Sequence, residues 1–579
     1  MLRINLTKLL ITCIAIVLLA LLFTFLRTPS NVKRVRQFES VSKGKISAIK
    51  TEIAATSQPD TKFKGTPKPV KPTALAFDWN HEEALLPGLV PPQAHLIWCG
   101  QKWVEYKHYL TVKSISRILK PDRVVMHYSK EPGIDKLRYH QWLQWIKTDE
   151  IFFTMQKFTP DQERVCNERV PIDERIGIIM NMLKEEGGIY VGQDTWLVNF
   201  EPKTRLNDFI FALEEDSLEG MIMLRGNILK EASEWKELLH NRELKTKTLK
   251  CATVQHIYNG DDTPMCLTVR GGSLDSLMPM DIWELDNRFG SLCRTLFYGT
   301  AEIRKPKPDY NELVPNIGHM IWIGGGPMDF VFFLSALSVL YVVNVDVLYI
   351  HGDIEPVGEN WQKIRSNPRV KFITRLPPRT VYGGEIQNYY RALMSDIIRV
   401  DLMIKYGGIY TDTDAIWVRG PTYEDRGYEA VASFDWIDWS WPYRDSVNFG
   451  LSYGKKGGKF WHIFRDSMHE LHNHLHGFTG VMEPYKLLEK YPELLRIDRR
   501  LQVICYHSRC HPIYVKDYHN ETNDHVNSGT IKDWRNDVYA FHWTHPNPSE
   551  YKNLDVLLKS KGMFAEIGKY VLKKAGLLD

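Results

Sequence analysis

The chain lacks the usual signatures of a structural zinc protein. Its 579 residues hold only 8 cysteines, none paired as Cys-x-x-Cys, which argues against zinc ribbons and fingers. His469, His472 and His476 do not complete a His-Glu-x-x-His helix, because Asn473 stands at the last position. A basic surplus is also missing where a globular body would be. The net charge is +4, but residues 1–75 carry thirteen Lys/Arg against three Asp/Glu, an excess of +10 that leaves −6 elsewhere. A slightly acidic body predicts no nucleic-acid partner. Apolar content of 44% and charged content of 25% are ordinary for globular protein. The length predicts two to four domains.

Leu9 to Leu26 run eighteen residues without a charge, the lower limit for crossing a bilayer. The run exceeds a signal-peptide core and no small-x-small cleavage site follows, so a retained anchor is expected. Arg3 and Lys8 precede it, while Arg27, Lys33, Arg34 and Arg36 follow. Long C-terminal domains translocate despite such charges. The reading is a cytoplasmic tail at 1–8, an anchor at 9–26 and a lumenal remainder. Residues 27–88, rich in Lys, Pro, Ser and Thr, cannot bury a core and predict an extended stem. Cys13 falls in the apolar run. The seven other cysteines are odd in number, so at least one stays free or pairs between chains. Cys251 with Cys266, or Cys505 with Cys510, could bridge in an oxidising lumen. Asn520-Glu521-Thr522 is a glycosylation sequon.

One Asp-x-Asp exists in the chain, Asp412-Thr413-Asp414, just past the apolar run Gly407-Gly408-Ile409-Tyr410. Side chains two apart on extended backbone point the same way, so both carboxylates can reach one point. Such oxygen ligands suit Mn²⁺ or Mg²⁺ and leave positions for phosphate oxygens. The same stretch occurs 220 residues earlier as Gly187-Gly188-Ile189-Tyr190-Val191-Gly192-Gln193-Asp194. Upstream, His95-Leu96-Ile97-Trp98 answers His319-Met320-Ile321-Trp322. A repeat this long implies two domains of one fold rather than a solenoid. The copies differ where chemistry would be. Gly192 replaces Asp412, and at the 220-residue offset Asp396 and Arg399 fall on Ile176 and Ile179.

In the second repeat, apolar runs predict strands at 319–323, 345–351, 370–374 and 409–411. Between them fall a buried helix at 330–341, a helical turn at 361–366 and a long helix at 385–406. Alternating strands and helices indicate an α/β layer with a largely parallel sheet, whose ligands bind beyond the carboxyl ends of strands. Asp396 and Arg399, three apart on the long helix, share a face.

Three elements together, His319-x-Ile321-Trp322-x-Gly324, Ser395-Asp396-Ile397-Ile398-Arg399 and Gly407-Gly408-Ile409-Tyr410-x-Asp412-x-Asp414, resemble the DXD-containing sugar transferases of the GT-A fold. That group includes Golgi α-1,4-galactosyl- and N-acetylglucosaminyltransferases, fungal initiating α-mannosyltransferases and the glucosylating bacterial toxins. The resemblance implies two tandem GT-A-like, Rossmann-like domains with mostly parallel sheets, a degenerate copy at 89–305 and a catalytic one at 306–579. It implies that Trp322 stacks on the nucleotide base and that Asp396 and Arg399 hold the donor sugar. Asp412 would touch ribose or sugar and metal, and Asp414 would ligate Mn²⁺ (or Mg²⁺). The donor would be a UDP-sugar or GDP-mannose, transferred with retention to a glycan, glycolipid or glycoprotein. With the anchor and stem, the expectation is a single-pass type II protein of the Golgi or ER membrane with a lumenal catalytic domain.

Weaker likenesses follow. Phe541-His542-Trp543 resembles a segment that returns to the metal, making His542 a further ligand or else a core histidine. Asn448 resembles a position near the acceptor, or is a turn amide. Thr479-Gly480 resembles a Thr-Gly-Pro loop with Val481 in place of proline. Trp436, Trp439 and Trp441 could form an acceptor platform, since aromatic faces cover sugars well, or pack in a core. The rival reading is a non-catalytic glycan-binding or scaffolding protein built from two decayed copies. The intact Asp396, Arg399, Asp412 and Asp414 argue against it. A transferase for cytosolic proteins is opposed by the apolar run and stem.

Overall fold

The computed structural model describes residues 89–100, 102–259, 264–387, 390–435, 442–469, 477–506, 509–510, 534–545 and 548–579. The expected tail, anchor and stem lie outside them, as do the sequon and Trp436, Trp439 and Trp441. Among the described residues no helix is long and apolar enough to cross a membrane. Packing divides the chain into two units. The smaller is 1–87 with Val269–Leu277, of which only the latter segment is described, centred on the 3-10 turn Gly272–Ser276. The larger is Gly88–Thr268 with Met278–Asp579, and the rest of the description concerns it.

Two seven-stranded sheets fill the larger unit. The first contains β1 (Gln93–Trp98), β2 (Arg123–Tyr128), β3 (Phe153–Lys157), β4 (Gly187–Val191), β5 (Phe209–Leu213), β6 (Gly220–Arg225) and β7 (Thr246–Thr248), in the order β3-β2-β1-β4-β6-β5-β7. The second contains β8 (Ile317–Trp322), β9 (Val347–Gly352), β10 (Val370–Thr374), β11 (Gly408–Thr411), β12 (Ala430–Phe434), β13 (Val447–Gly454) and β14 (Arg496–Ile497), in the order β10-β9-β8-β11-β13-β12-β14. The order is the same, so the repeated sequence is a repeated topology. In each sheet six strands run parallel, and the fifth in the order is reversed, pairing antiparallel with both its neighbours. The chain is thus a mixed α/β protein with parallel sheets.

Helices α1 (Tyr106–Ser114) and α2 (Ile172–Leu183) belong to the first repeat. The second contributes α3 (Phe330–Ser338), α4 (Arg391–Lys405) and α5 (Glu483–Lys490). Every residue of α3 is buried, as an apolar run without a polar face requires. It continues into a π-helical turn, Val339–Val343. The long helix expected from 385 begins instead at Arg391. Glu385 pairs with Thr380 in a two-residue antiparallel ladder, which commits it to extended backbone.

Cysteine pairing goes beyond the expectation. Cys251 bridges Cys266, and Cys99 bridges Cys166, a pair 67 residues apart that spacing did not suggest. Cys505 is also disulfide-bonded and faces Cys510 in register across two short strands. Cys293 is free and buried.

Candidate active site

β11 lies between β8 and β13, and the chain leaves its carboxyl end straight into Asp412-Thr413-Asp414. The ladder extends one residue beyond the strand, where the Asp412 amide donates to the Gly450 carbonyl at 2.7 Å. The backbone then turns, Ala415 N donating to Asp412 O at 3.2 Å. It enters a short strand, Ala415–Trp417, that pairs antiparallel with Ala540–His545. Ala415 is the register partner of His542. This pairing, with a partner far along the chain, delivers the histidine to the acidic turn.

His542 Nε2 stands 3.1 Å from Asp414 Oδ1 and 3.7 Å from Asp412 Oδ2. One ligand atom from each of the three residues lies within 4.8 Å of the others. A hard divalent ion bound at about 2.1 Å takes neighbouring ligands at about 3 Å from each other, so two carboxylates and an imidazole fit one. Gly450 backs the site. A Cβ there would strike the His542 ring and the Asp412 carboxylate, so only glycine permits this approach. Burial pushes the Asp412 carboxyl up, and Arg399 and His542 offset part of that. Burial also opposes the His542 cation, but Asp414 and Asp412 outweigh it and raise its pKa.

The second set comes from α4. Arg399 is buried, its guanidinium 4.3 Å from the Tyr410 ring centroid. It reaches Asp412 Oδ1 at 3.3 Å and Asp396 Oδ1 at 3.5 Å. Tyr410 OH donates to Asp412 Oδ1 at 2.6 Å. Asp396 therefore joins the acidic turn through Arg399, and burial lifts its carboxyl to about 6. On its far side it packs against Gly480, where a Cβ would collide with the carboxylate.

Trp322 ends β8 half-buried and stacked on Phe332 at 5.0 Å. Asn448 lies within β13, its amide bonded to Asp435, Gly450 and Gln502. It is a buried strand residue rather than a turn amide. Trp436 and Trp439 fall outside the described residues. Gln502, which sequence reasoning missed, contacts His542 Nδ1 at 2.9 Å. It belongs to no motif, and its partners are 40 and 54 residues away.

The first repeat builds the same turn differently. Gly192 N donates to Gly220 O at 2.8 Å, as Asp412 does to Gly450. Asp194, however, is held by Lys107 Nζ at 2.9 Å and His108 Nε2 at 3.1 Å. Burial opposes its charge, but His108 and Lys107 hold its carboxyl below the usual range. An ammonium sits beside the carboxylate, and Gly192 supplies no second acid. Ile176 and Ile179 are buried on α2. Trp98, the counterpart of Trp322, is 1% exposed, which leaves no free face for a base.

Fold and site together define an α/β enzyme with an acidic centre at a strand's carboxyl end. Residues 350–427 match the family model described as the glycosyltransferase sugar-binding region containing DXD motif. The match covers part of the second repeat only, and supports a glycosyltransferase with a DXD motif. No curated protein matches the chain. Among solved structures it is similar to the PaToxG glycosyltransferase (17% identity, 31% of this chain and 71% of that one, TM-score 0.25). It is also similar to the glycosyltransferase GlyE in Streptococcus pneumoniae (10% identity, 49% and 82%, TM-score 0.20). A third is the galactosyltransferase LgtC in complex with donor and acceptor sugar analogs (12% identity, 45% and 96%, TM-score 0.24). These are weak likenesses.

Proposed function

We propose that the second repeat is a metal-dependent transferase that moves a sugar from a UDP-sugar or GDP-mannose to a glycan, lipid or protein acceptor, with retention. The observation that carries this reading is the convergence of Asp412, Asp414 and His542 within 4.8 Å, beside the buried Arg399 and its partner Asp396. Breaking a sugar–phosphate bond leaves negative charge on a nucleoside diphosphate. A bound dication stabilises that charge by several kcal/mol without proton transfer. Arg399, a cation that Asp412 and Asp396 keep charged despite burial, fixes the acidic groups in place and adds positive potential near the leaving group. Asp396, on α4 beside Arg399, orients sugar hydroxyls.

Residues 9–26 tether the enzyme as a type II protein of the Golgi or ER, with 27–88 as its stem. Disulfides at Cys99–Cys166 and Cys251–Cys266 favour a lumenal, oxidising setting. The first repeat is catalytically silent, its acid neutralised by Lys107.

The full chain should hydrolyse one nucleotide sugar, in a screen over donors, only with Mn²⁺ or Mg²⁺ present. Asp414→Asn should cut turnover by about a hundredfold or more while the melting transition is retained. Asp194→Asn should change turnover little. The reverse pattern would place the active centre in the first repeat and overturn this reading.

A further inference from the structure

A histidine ligates a metal through a nitrogen that carries no proton. We propose that Gln502 is a positioning residue that holds His542 with its hydrogen on Nδ1, so that a bare Nε2 faces Asp412 and Asp414 and takes the divalent ion. This rests on the metal-dependent reading above.

The amide oxygen of Gln502 lies 2.9 Å from His542 Nδ1. Which end of an amide faces a ring is settled by what the other end meets. Gln502 Nε2 is 3.1 Å from Asn448 Oδ1 and 3.3 Å from the Asn448 main-chain carbonyl. A carbonyl oxygen only accepts, so the amino group belongs there and Oε1 is left for the ring. Asn448 is fixed at both ends in turn. Its Oδ1 accepts from Gly450 N at 2.7 Å, and its Nδ2 donates to Asp435 Oδ2 at 3.1 Å. A backbone N–H only donates and a carboxylate only accepts. Neither amide can turn over without setting like against like. The donor order His542, Gln502, Asn448, Asp435 is therefore one-directional.

Gln502 is fully buried and His542 3% exposed, so water does not readily substitute for the bond. With Nδ1 donating, the neutral ring has its lone pair on Nε2, the atom 3.1 Å from Asp414. The ring cannot pivot toward β13, because Gly450 lies against it. Orientation of a ligating histidine by such a partner is worth about 10–100-fold in metal affinity.

The test is Mn²⁺ titration of the full chain in detergent, with free Mn²⁺ read by electron paramagnetic resonance. Wild type should bind Mn²⁺ and Asp414→Asn should not. Gln502→Met, which removes the acceptor while matching volume, should bind about 10–100-fold more weakly. Gln502→Glu, held as the neutral acid by the two acceptors of Asn448, offers an oxygen to Nδ1 and an O–H to Asn448, and should stay close to wild type. If wild type binds no Mn²⁺, the metal-dependent reading falls and this inference with it. If wild type binds and Gln502→Met binds equally tightly, the reading stands and Gln502 has no such role. Should Gln502→Met not fold, Gln502→Glu decides. A loss as large as that of His542→Gln overturns the inference.

Discussion

At Asp396 burial and charge conflict. Burial lifts its carboxyl to about 6, Arg399 draws it back only in part, and Asp412 adds to the rise. An unfolded aspartate titrates near pH 3.9, so between about pH 4 and 6 the folded chain holds the extra proton. Stability from this group is therefore complete below about pH 4 and is lost as pH rises through about 6. In urea titrations of the metal-free protein at pH 4, 5, 6 and 7, wild type should weaken more steeply than Asp396→Asn, which cannot titrate. Parallel slopes would refute this. The removal of Arg399 is a second residue-scale test. Arg399→Met leaves the half-buried Asp396 and Asp412 without their shared cation, and should destabilise by at most about 3–5 kcal/mol in the same assay. Asp396, Arg399, Asp412 and Asp414 were legible in the sequence because each lies in a short local pattern. Gln502 was not, because hydrogen bonds spanning 40 and 54 residues leave no mark on local spacing.

Elements were legible where hydrophobic pattern and backbone agree. β10 occupies the expected 370–374, and α3 with its π-turn covers the expected apolar run. The start of α4 was missed because Gly383 and Gly384 admit a hairpin, Thr380–Val381 with Gly384–Glu385, that helical periodicity does not register. Thr479-Gly480, legible only as a loop likeness, lies in the turn Phe478–Met482 that leads into α5. It sets Gly480 against Asp396, so a remote turn forms one wall of the α4 site. Gly480→Ala would force the two apart. The expected outcome is destabilisation of about 1–3 kcal/mol, the usual cost of overpacking. Turnover should fall about a hundredfold, as a shift near 1 Å of a positioned group can cause. Thermal melting and donor hydrolysis would read the two effects. Unchanged turnover would mean that Asp396 does not need its present position.

At the scale of the molecule, the repeat was legible but the grip between its copies was not. α5, in the second repeat, carries Lys486 and Glu489, both fully buried and paired at 3.3 Å. The surrounding groups come from the first repeat. Lys486 Nζ lies 3.6 Å from the Trp142 ring centroid and 4.1 Å from that of Tyr139. Tyr139 OH donates to Glu489 Oε1 at 2.7 Å, and Tyr298 OH donates to the Glu489 carbonyl at 2.8 Å. Burial lowers the lysine pKa and raises that of the glutamate, so each charge depends on the other and on the aromatic walls. The turn that touches Asp396 runs directly into this helix. The first repeat thereby anchors a wall of the candidate site. Lys486→Met should strand Glu489 and cost about 3–5 kcal/mol, whereas Lys486→Met with Glu489→Leu replaces the pair by apolar volume and should recover most of the loss. Denaturant unfolding of the two variants decides between this and the alternative. If the double variant is no more stable than the single one, aromatic packing rather than paired charge holds the repeats together.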